Sequence, residues 1–279
     1  MIINALSIDV EDYFQVAAFE KAIHKKDWAH FPIRVQQNTD CILALLDEKG
    51  IKATFFVLGW IAERYPGLVR KIIEHGHELA SHGYMHDRIT HLTPEQFRED
   101  IRSSKRLLED IAGHVVLGYR APSYSICEKT KWALEIIEEE GFTYSSSIYP
   151  IQHDLYGWPQ APRFPFSATG RQLVEIPIST LKILGQLIPI GGGGYFRLYP
   201  YKLSKWWIQR LNRNENAPCV FYFHPWELDP GQPKQDQASI KSKFRHYLNL
   251  EKTEERLTKL LSDFKWGAIR DVFNQHLKS

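Results

Sequence analysis

Glu78-Leu79-Ala80-Ser81-His82-Gly83-Tyr84-Met85-His86 runs a short apolar segment directly into two histidines four positions apart. That spacing puts both imidazoles on one side of a helix or tight turn, where they can meet one ion. Around this stretch the chain is repetitive: short apolar runs alternate with longer segments whose apolar residues recur every three to four positions. The alternation predicts repeated strand–helix units around a parallel sheet or barrel. The strand candidates are Asn4–Ile8, Ala53–Leu58, Glu78–Ser81, Val115–Tyr119, Thr143–Ser146, Leu173–Ile176, Val220–Phe223 and Gly267–Ile269. Helical period covers Val35–Lys49, Gly67–His75, Pro94–Ile111, Lys129–Gly141, Pro200–Asn214 and Glu251–Phe264. Pro94 after Thr93 marks a first turn, and Gly50, Gly76 and Gly141 fall just past helix ends. Two regions break the rhythm: 150–170, rich in Pro, Gly and aromatics, and the run Gly191–Gly194. Both read as loops over one face, the glycine run as a mobile lid.

Bulk properties narrow the function classes. The 279 residues are 43% hydrophobic and 13% aromatic, enough for a large core. Thirty-five basic and 33 acidic residues, interleaved, give a net charge of +2 and no reason to expect a nucleic-acid partner. Cys41, Cys127 and Cys219 lack metal-ribbon or disulfide-scaffold spacing and fit a reducing compartment. No apolar run approaches the roughly 20 residues of a membrane span, and the N-terminal run from Met1 is too short for a signal peptide. The expected location is cytoplasmic, with peripheral attachment to the inner membrane face left open.

The chemistry gathers at strand ends. Asp9-Val10-Glu11-Asp12 follows the first strand candidate, His82 and His86 the third, Arg120 the fourth, and His224 follows Val220–Phe223. Barrel enzymes place their active sites at that end. A histidine pair by itself is usually a chance of composition, but a carboxylate from another strand can complete a three-ligand site open to water. Gly83 stands where a zinc protease helix carries Glu, which argues against that class. Alternation along an extended strand favours Glu11 as the third ligand, whereas a strand that ends early favours Asp12. Arg120, before a rigid Ala121-Pro122, suits a guanidinium that keeps a carboxylate charged. His224 suits proton donation to a leaving group. His153-Asp154 reads as a loop hydrogen bond, and Lys241 to Lys259 as a solvated helix face.

With these elements assembled, the chain resembles the polysaccharide deacetylase family of metal-dependent carbohydrate esterases. The resemblance rests on Asp9–Asp12, Gly76–His86, Arg120-Ala121-Pro122-Ser123-Tyr124 and Phe223-His224, in the family's order. Ser145–Pro150, Gly192–Leu198 and Phe244–Asn249 resemble the branch tied to bacterial exopolysaccharide and exosortase gene clusters. The resemblance implies an α/β fold, a distorted (β/α) barrel of about seven strands, as one catalytic domain over 1–279 with branch-specific loops from about 145 onward. It implies removal of an N-acetyl group from an amino sugar of a surface polysaccharide or its precursor. Asp9 would be the general base, Arg120 its partner and His224 the general acid. His82 and His86 would bind a divalent metal with Glu11 or Asp12, zinc above all, with cobalt or nickel also suitable. Tyr124 would contact substrate, and a backbone N–H at Ser123-Tyr124 would hold the oxyanion. Ser145 stands where relatives often carry an Asp behind the catalytic His, which leaves Asp154 as the expected substitute.

Two other readings compete: a hydrolase of cyclic or small amides on the same fold, and a catalytically weakened carbohydrate-binding relative.

Overall fold

The computed structural model describes residues 2–154 and 156–277. Met1 of the N-terminal run, residue 155 of the 150–170 loop and the last two positions of the 1–279 span lie outside the described residues.

Strand β1 (Ile3–Val10) is the centre of the sheet and is buried along all but its first residue. β2 (Thr54–Val57), β3 (Glu78–Ser81), β4 (Gly118–Tyr119), β5 (Tyr144–Ser145), β6 (Phe166–Ser167) and β7 (Val174–Glu175) follow in sequence. After a separate antiparallel hairpin, β8 (Thr180–Ile183) and β9 (Gln186–Pro189), come β10 (Val220–Phe223) and β11 (Lys265–Gly267). Seven strands run parallel along the main path in the order β10-β1-β2-β3-β4-β5-β7, and β11 is an eighth parallel strand beside the about seven expected. β11 pairs beside the start of β1, and β6 adds antiparallel at the far end. Irregular chain closes the ring: Ile178 N–H donates to the Ile148 carbonyl at 3.0 Å, Val220 N–H to Ser179 Oγ at 2.8 Å, and Tyr222 N–H to the Gly191 carbonyl at 2.8 Å.

Parallel strands buried on both faces explain why the sequence showed apolar runs rather than alternation. Inward residues Ala5, Phe56, Ala80, Tyr144, Ile176 and Val220 fill the barrel. Outward residues Leu6, Ile8, Val10, Phe55, Val57 and Leu79 pack under the helices, each contributing roughly 1.5–3 kcal/mol when fully buried. These helices include α1 (Val35–Lys49), α2 (Gly59–Arg64), α3 (Pro66–Glu74), α4 (Pro94–Ala112) and α5 (Ala133–Glu139). The expected start at Thr93-Pro94 is a full capping box with Gln96, and α1 ends on Gly50 at φ 64°. α6 (Gly193–Leu198), α7 (Tyr201–Asn214), α8 (Ile240–Tyr247), α9 (Thr253–Asp263) and α10 (Ile269–Val272) complete the chain.

Several local expectations are corrected. The strand expected at Val115–Tyr119 keeps only two residues, and Ile269 begins a helix rather than ending a strand. The glycine run is a packing seam and not a lid: a Cβ on Gly192, at φ 109°, would lie 2.0 Å from the Tyr222 carbonyl oxygen. Only glycine lets this backbone lie against β10. The stretch from Lys241 to Lys259 is not one solvated face either, since His246 is buried and the helix breaks at Asn249, φ 53°.

Candidate active site

Register assembles the site. Ile8 pairs with Phe223, Val10 with Val57, Val57 with Ser81, and Ser81 with Tyr119. The residues that follow, Asp9 to Glu11, His82, Arg120 and His224, therefore meet at one mouth of the barrel.

Asp9 and Glu11 both face inward, continuing the alternation of Ala5 and Ser7. Asp9 Oδ1 accepts from Arg120 Nη1 at 2.6 Å. Arg120 is wholly buried and makes three further bonds: it donates to Ser7 Oγ at 2.8 Å, to the Ser146 carbonyl at 3.0 Å and to Ser146 Oγ at 3.0 Å, under the Phe56 ring. A guanidinium so fixed pairs with the Asp9 side chain and fixes its direction.

Glu11, His82 and His86 bring one ligand atom each to within 4.8 Å of one another. His82 Nδ1 donates to the Arg120 carbonyl at 2.9 Å, which leaves the Nε2 lone pair facing Glu11 Oε1, 3.3 Å away. His86 Nε2 also lies 3.3 Å from Glu11 Oε1, yet is buried without a hydrogen-bond partner among the described residues. Burial works to raise the Glu11 carboxyl, but His86, His224 and His82 together hold it well below its ordinary range. A carboxylate and two lone pairs converging on one point fit a divalent cation, and zinc, cobalt and nickel all accept this donor set.

Asp12 does not join them. Its carboxylate accepts from the backbone N–H groups of Tyr13 at 2.9 Å, Arg34 at 2.8 Å and Val35 at 2.9 Å, so it caps the start of α1. Burial lifts its pKa to about 6 in spite of those three donors.

His224 Nε2 lies 3.5 Å from Glu11 Oε1 and 4.0 Å from Asp9 Oδ2. On its other side Nδ1 donates to Glu227 Oε1 at 2.6 Å, and Arg197 Nε donates to Glu227 Oε2, also at 2.6 Å. Burial lowers the imidazole pKa, but Glu11, Glu227 and Asp9 outweigh it and push the value up to about 9. Glu227 thus takes the supporting place expected of Asp154, which instead pairs with Lys241 and Arg245 at the rim. Sequence reasoning assigned no role to Glu227 or Arg197. The signal was His224-Pro-Trp-Glu227, since a 3₁₀ turn brings the fourth residue back over the first.

Tyr124 Oη donates to Asp9 Oδ2 at 3.4 Å. The Tyr124 N–H is already spent on the Ala121 carbonyl at 3.1 Å, which leaves the oxyanion role expected at Ser123-Tyr124 to the Ser123 N–H. His86, Ser123 and Tyr124 all have positive φ, at 53°, 55° and 49°. Strain of this kind in three neighbouring site residues is the pattern of functional positions.

Comparison with known proteins agrees with this architecture. Residues 27–145 match the family described as Polysaccharide deacetylase, and residues 146–274 match a Domain of unknown function (DUF3473). Residues 27–145 thus form a polysaccharide deacetylase family domain. Its relatives include the peptidoglycan deacetylase-like protein FGM2 of Gibberella zeae, 34% identical over 41% of this chain and 34% of its own. A peptidoglycan-N-acetylglucosamine deacetylase of Bacillus cereus is 35% identical over 35% of this chain and 36% of its own. The chain thus matches about a third of the length of these curated relatives. A solved structure described as a polysaccharide deacetylase from Mycobacterium smegmatis aligns at TM-score 0.61 with 21% identity, over 98% of this chain and 89% of the other. Puue allantoinase aligns at 0.60 with 17% identity, over 99% and 89%. Both are likenesses of fold. His82, His86, Arg120 and Tyr124 lie in the deacetylase match, whereas Arg197, His224 and Glu227 lie in the segment of unknown function.

Proposed function

We propose that the chain is a metal-dependent hydrolase that removes N-acetyl groups from an amino sugar of a bacterial surface polysaccharide or its precursor. One observation carries the reading: the Glu11, His82 and His86 cluster sits between a carboxylate fixed by Arg120 and an imidazole fixed by Glu227. The peptidoglycan deacetylases among the relatives support an acetylated glycan as substrate, and the likeness of Ser145–Pro150 and Phe244–Asn249 to the exopolysaccharide branch supports the finer choice. No described helix is long and apolar enough to cross a membrane. Within the proposal, the enzyme works on a precursor in the cytoplasm or at the inner membrane face.

A divalent cation held by Glu11, His82 and His86 would supply Lewis acidity toward a carbonyl and lower the pKa of water. Asp9, oriented by Arg120, takes a proton from the attacking water. Tyr124 Oη and Arg120 hold Asp9 in place, so its free lone pairs face the cavity. His224, protonated through its carboxylate neighbours, delivers a proton to the departing amine nitrogen, and Glu227 stabilises the imidazolium. Every position that this cycle needs is filled, which disfavours a binding-only relative. Acetate release from acetylated oligosaccharides, abolished by chelation and by Asp9→Asn, is the expected result. Full activity in either condition refutes the mechanism.

A further inference from the structure

Helix α8 leaves two large apolar side chains in solvent: Ile240 is 87% exposed and Phe244 61%. Four residues apart, they stand one above the other on the same helical face. Leu198, at the end of α6, is also 48% exposed. Leu198 and Phe244 line the cavity of about 530 Å³ that lies over Asp9, Glu11, His86 and His224. The apolar face of α8 is therefore part of the rim of the catalytic mouth.

Cations flank this face on both sides. At about 100° per residue, Lys243 stands about 60° to one side of Ile240 and Lys241 about 100° to the other, with Arg245 a turn beyond Lys241. Lys241 and Arg245 share the single carboxylate of Asp154. Lys243 makes no ion pair among the described residues, and its Nζ donates to the Asp236 carbonyl at 2.9 Å. With exposed Lys234, positive charge from 234 to 245 exceeds the negative charge of Asp236 and Asp154. Apolar side chains between lysines and arginines suit a helix lying in the plane of a membrane surface, the former at the acyl boundary and the latter on anionic headgroups. The helix is held from behind, since Arg197 donates to the Arg245 and His246 carbonyls at 3.2 and 2.7 Å. A face so fixed needs little ordering on binding. A partner protein seated on this rim would close the mouth, whereas a bilayer surface can carry substrate to it.

We propose that α8 docks the protein on an anionic bilayer surface, with Ile240 and Phe244 entering the headgroup region and Lys241, Lys243 and Arg245 on the lipid phosphates. The catalytic mouth then opens at the membrane. This deepens the placement at the inner membrane face and rests on that reading for its use, while the attachment itself is independent of the reaction. Helix α8 lies in the segment of unknown function, outside the deacetylase match. That segment then supplies the membrane contact as well as His224.

The test is co-sedimentation of the whole chain with vesicles of phosphatidylcholine alone and of phosphatidylcholine with about one-third phosphatidylglycerol. Binding to the anionic vesicles is expected to be about 10-fold tighter or more, to weaken as salt rises, and to fall about 10-fold or more in an Ile240→Ser/Lys243→Gln variant. Neither position lines the catalytic cavity, so the variant should release acetate from soluble acetylated chitooligosaccharides at the parent rate. Absence of vesicle binding, equal binding to neutral and anionic vesicles, or equal binding by parent and variant overturns the docking. A dimer seen by light scattering and dispersed in the variant gives the face to a second copy and also overturns it. Variant-sensitive vesicle binding without any acetate release supports the docking and counts against the deacetylase reading alone.

Discussion

Exchanging the two neighbouring carboxylates separates metal binding from folding. In Glu11→Gln the inward side chain keeps its shape but loses its charge, opposite His82 and His86 at 3.3 Å. Loss of an outer partner of a metal ligand costs about 10- to 100-fold in affinity, so loss of this ligand is expected to cost more than about 100-fold. The fold should tolerate the change, since the charge removed is a buried one. Asp12→Ala is the reverse case. It strips the acceptor from three backbone N–H groups, two of them at the first turn of α1. A lost cap costs about 0.5–2 kcal/mol and each stranded buried donor about 1–3 kcal/mol, so a total of about 3–5 kcal/mol is expected. Metal content measured by plasma mass spectrometry after dialysis, alongside urea unfolding of the same samples, reads both quantities. Glu11→Gln should be metal-poor and stable; Asp12→Ala should keep its metal and unfold early. A metal-free but stable Asp12→Ala protein, or a Glu11→Gln protein that binds metal as the parent does, refutes the assignment.

Glu227→Gln should lower kcat by about 10- to 100-fold, with KM and metal content unchanged, because it removes the charge that stabilises the His224 imidazolium; unaltered kcat would show that Glu227 is a structural neighbour only. A pH effect on stability should come from His77, whose Nδ1 accepts the Ala53 N–H at 3.2 Å in a buried site. Burial lowers its pKa from 6.5 to about 4. The unfolded chain therefore binds the extra proton between those values, and stability is lost as pH falls from about 6.5 toward 4, by up to about 3 kcal/mol. His77→Gln, followed by denaturant midpoints across that range, should flatten the dependence, and an unchanged slope would count against this origin.

Much of this was legible in the chain because the relevant signals are local. Two-sided burial of parallel strands makes apolar runs, and capping at Thr93-Pro94 or Gly50 is written within a few residues. The β8–β9 hairpin was not legible: its turn at Leu184-Gly185 lacks the usual Asn-Gly signal, although both residues adopt positive φ. The glycine run misled for a different reason. Its glycines meet Tyr222, some thirty residues away in sequence, and nothing local distinguishes a flexible glycine from one pressed against a neighbouring strand. Glu227 was visible as His-x-x-Glu, but its use depends on Arg197 arriving from α6 to hold it.

The sequence by itself determined the strand–helix rhythm and the supply of carboxylate, imidazole and guanidinium groups at strand ends, since both follow from short-range periodicity and spacing. Only the tertiary structure decided which carboxylate faces the two histidines. Pairing of β1 with β2 and β10 carries the pleat far enough to turn Glu11 inward, and the unpaired N–H groups at the start of α1 draw Asp12 away.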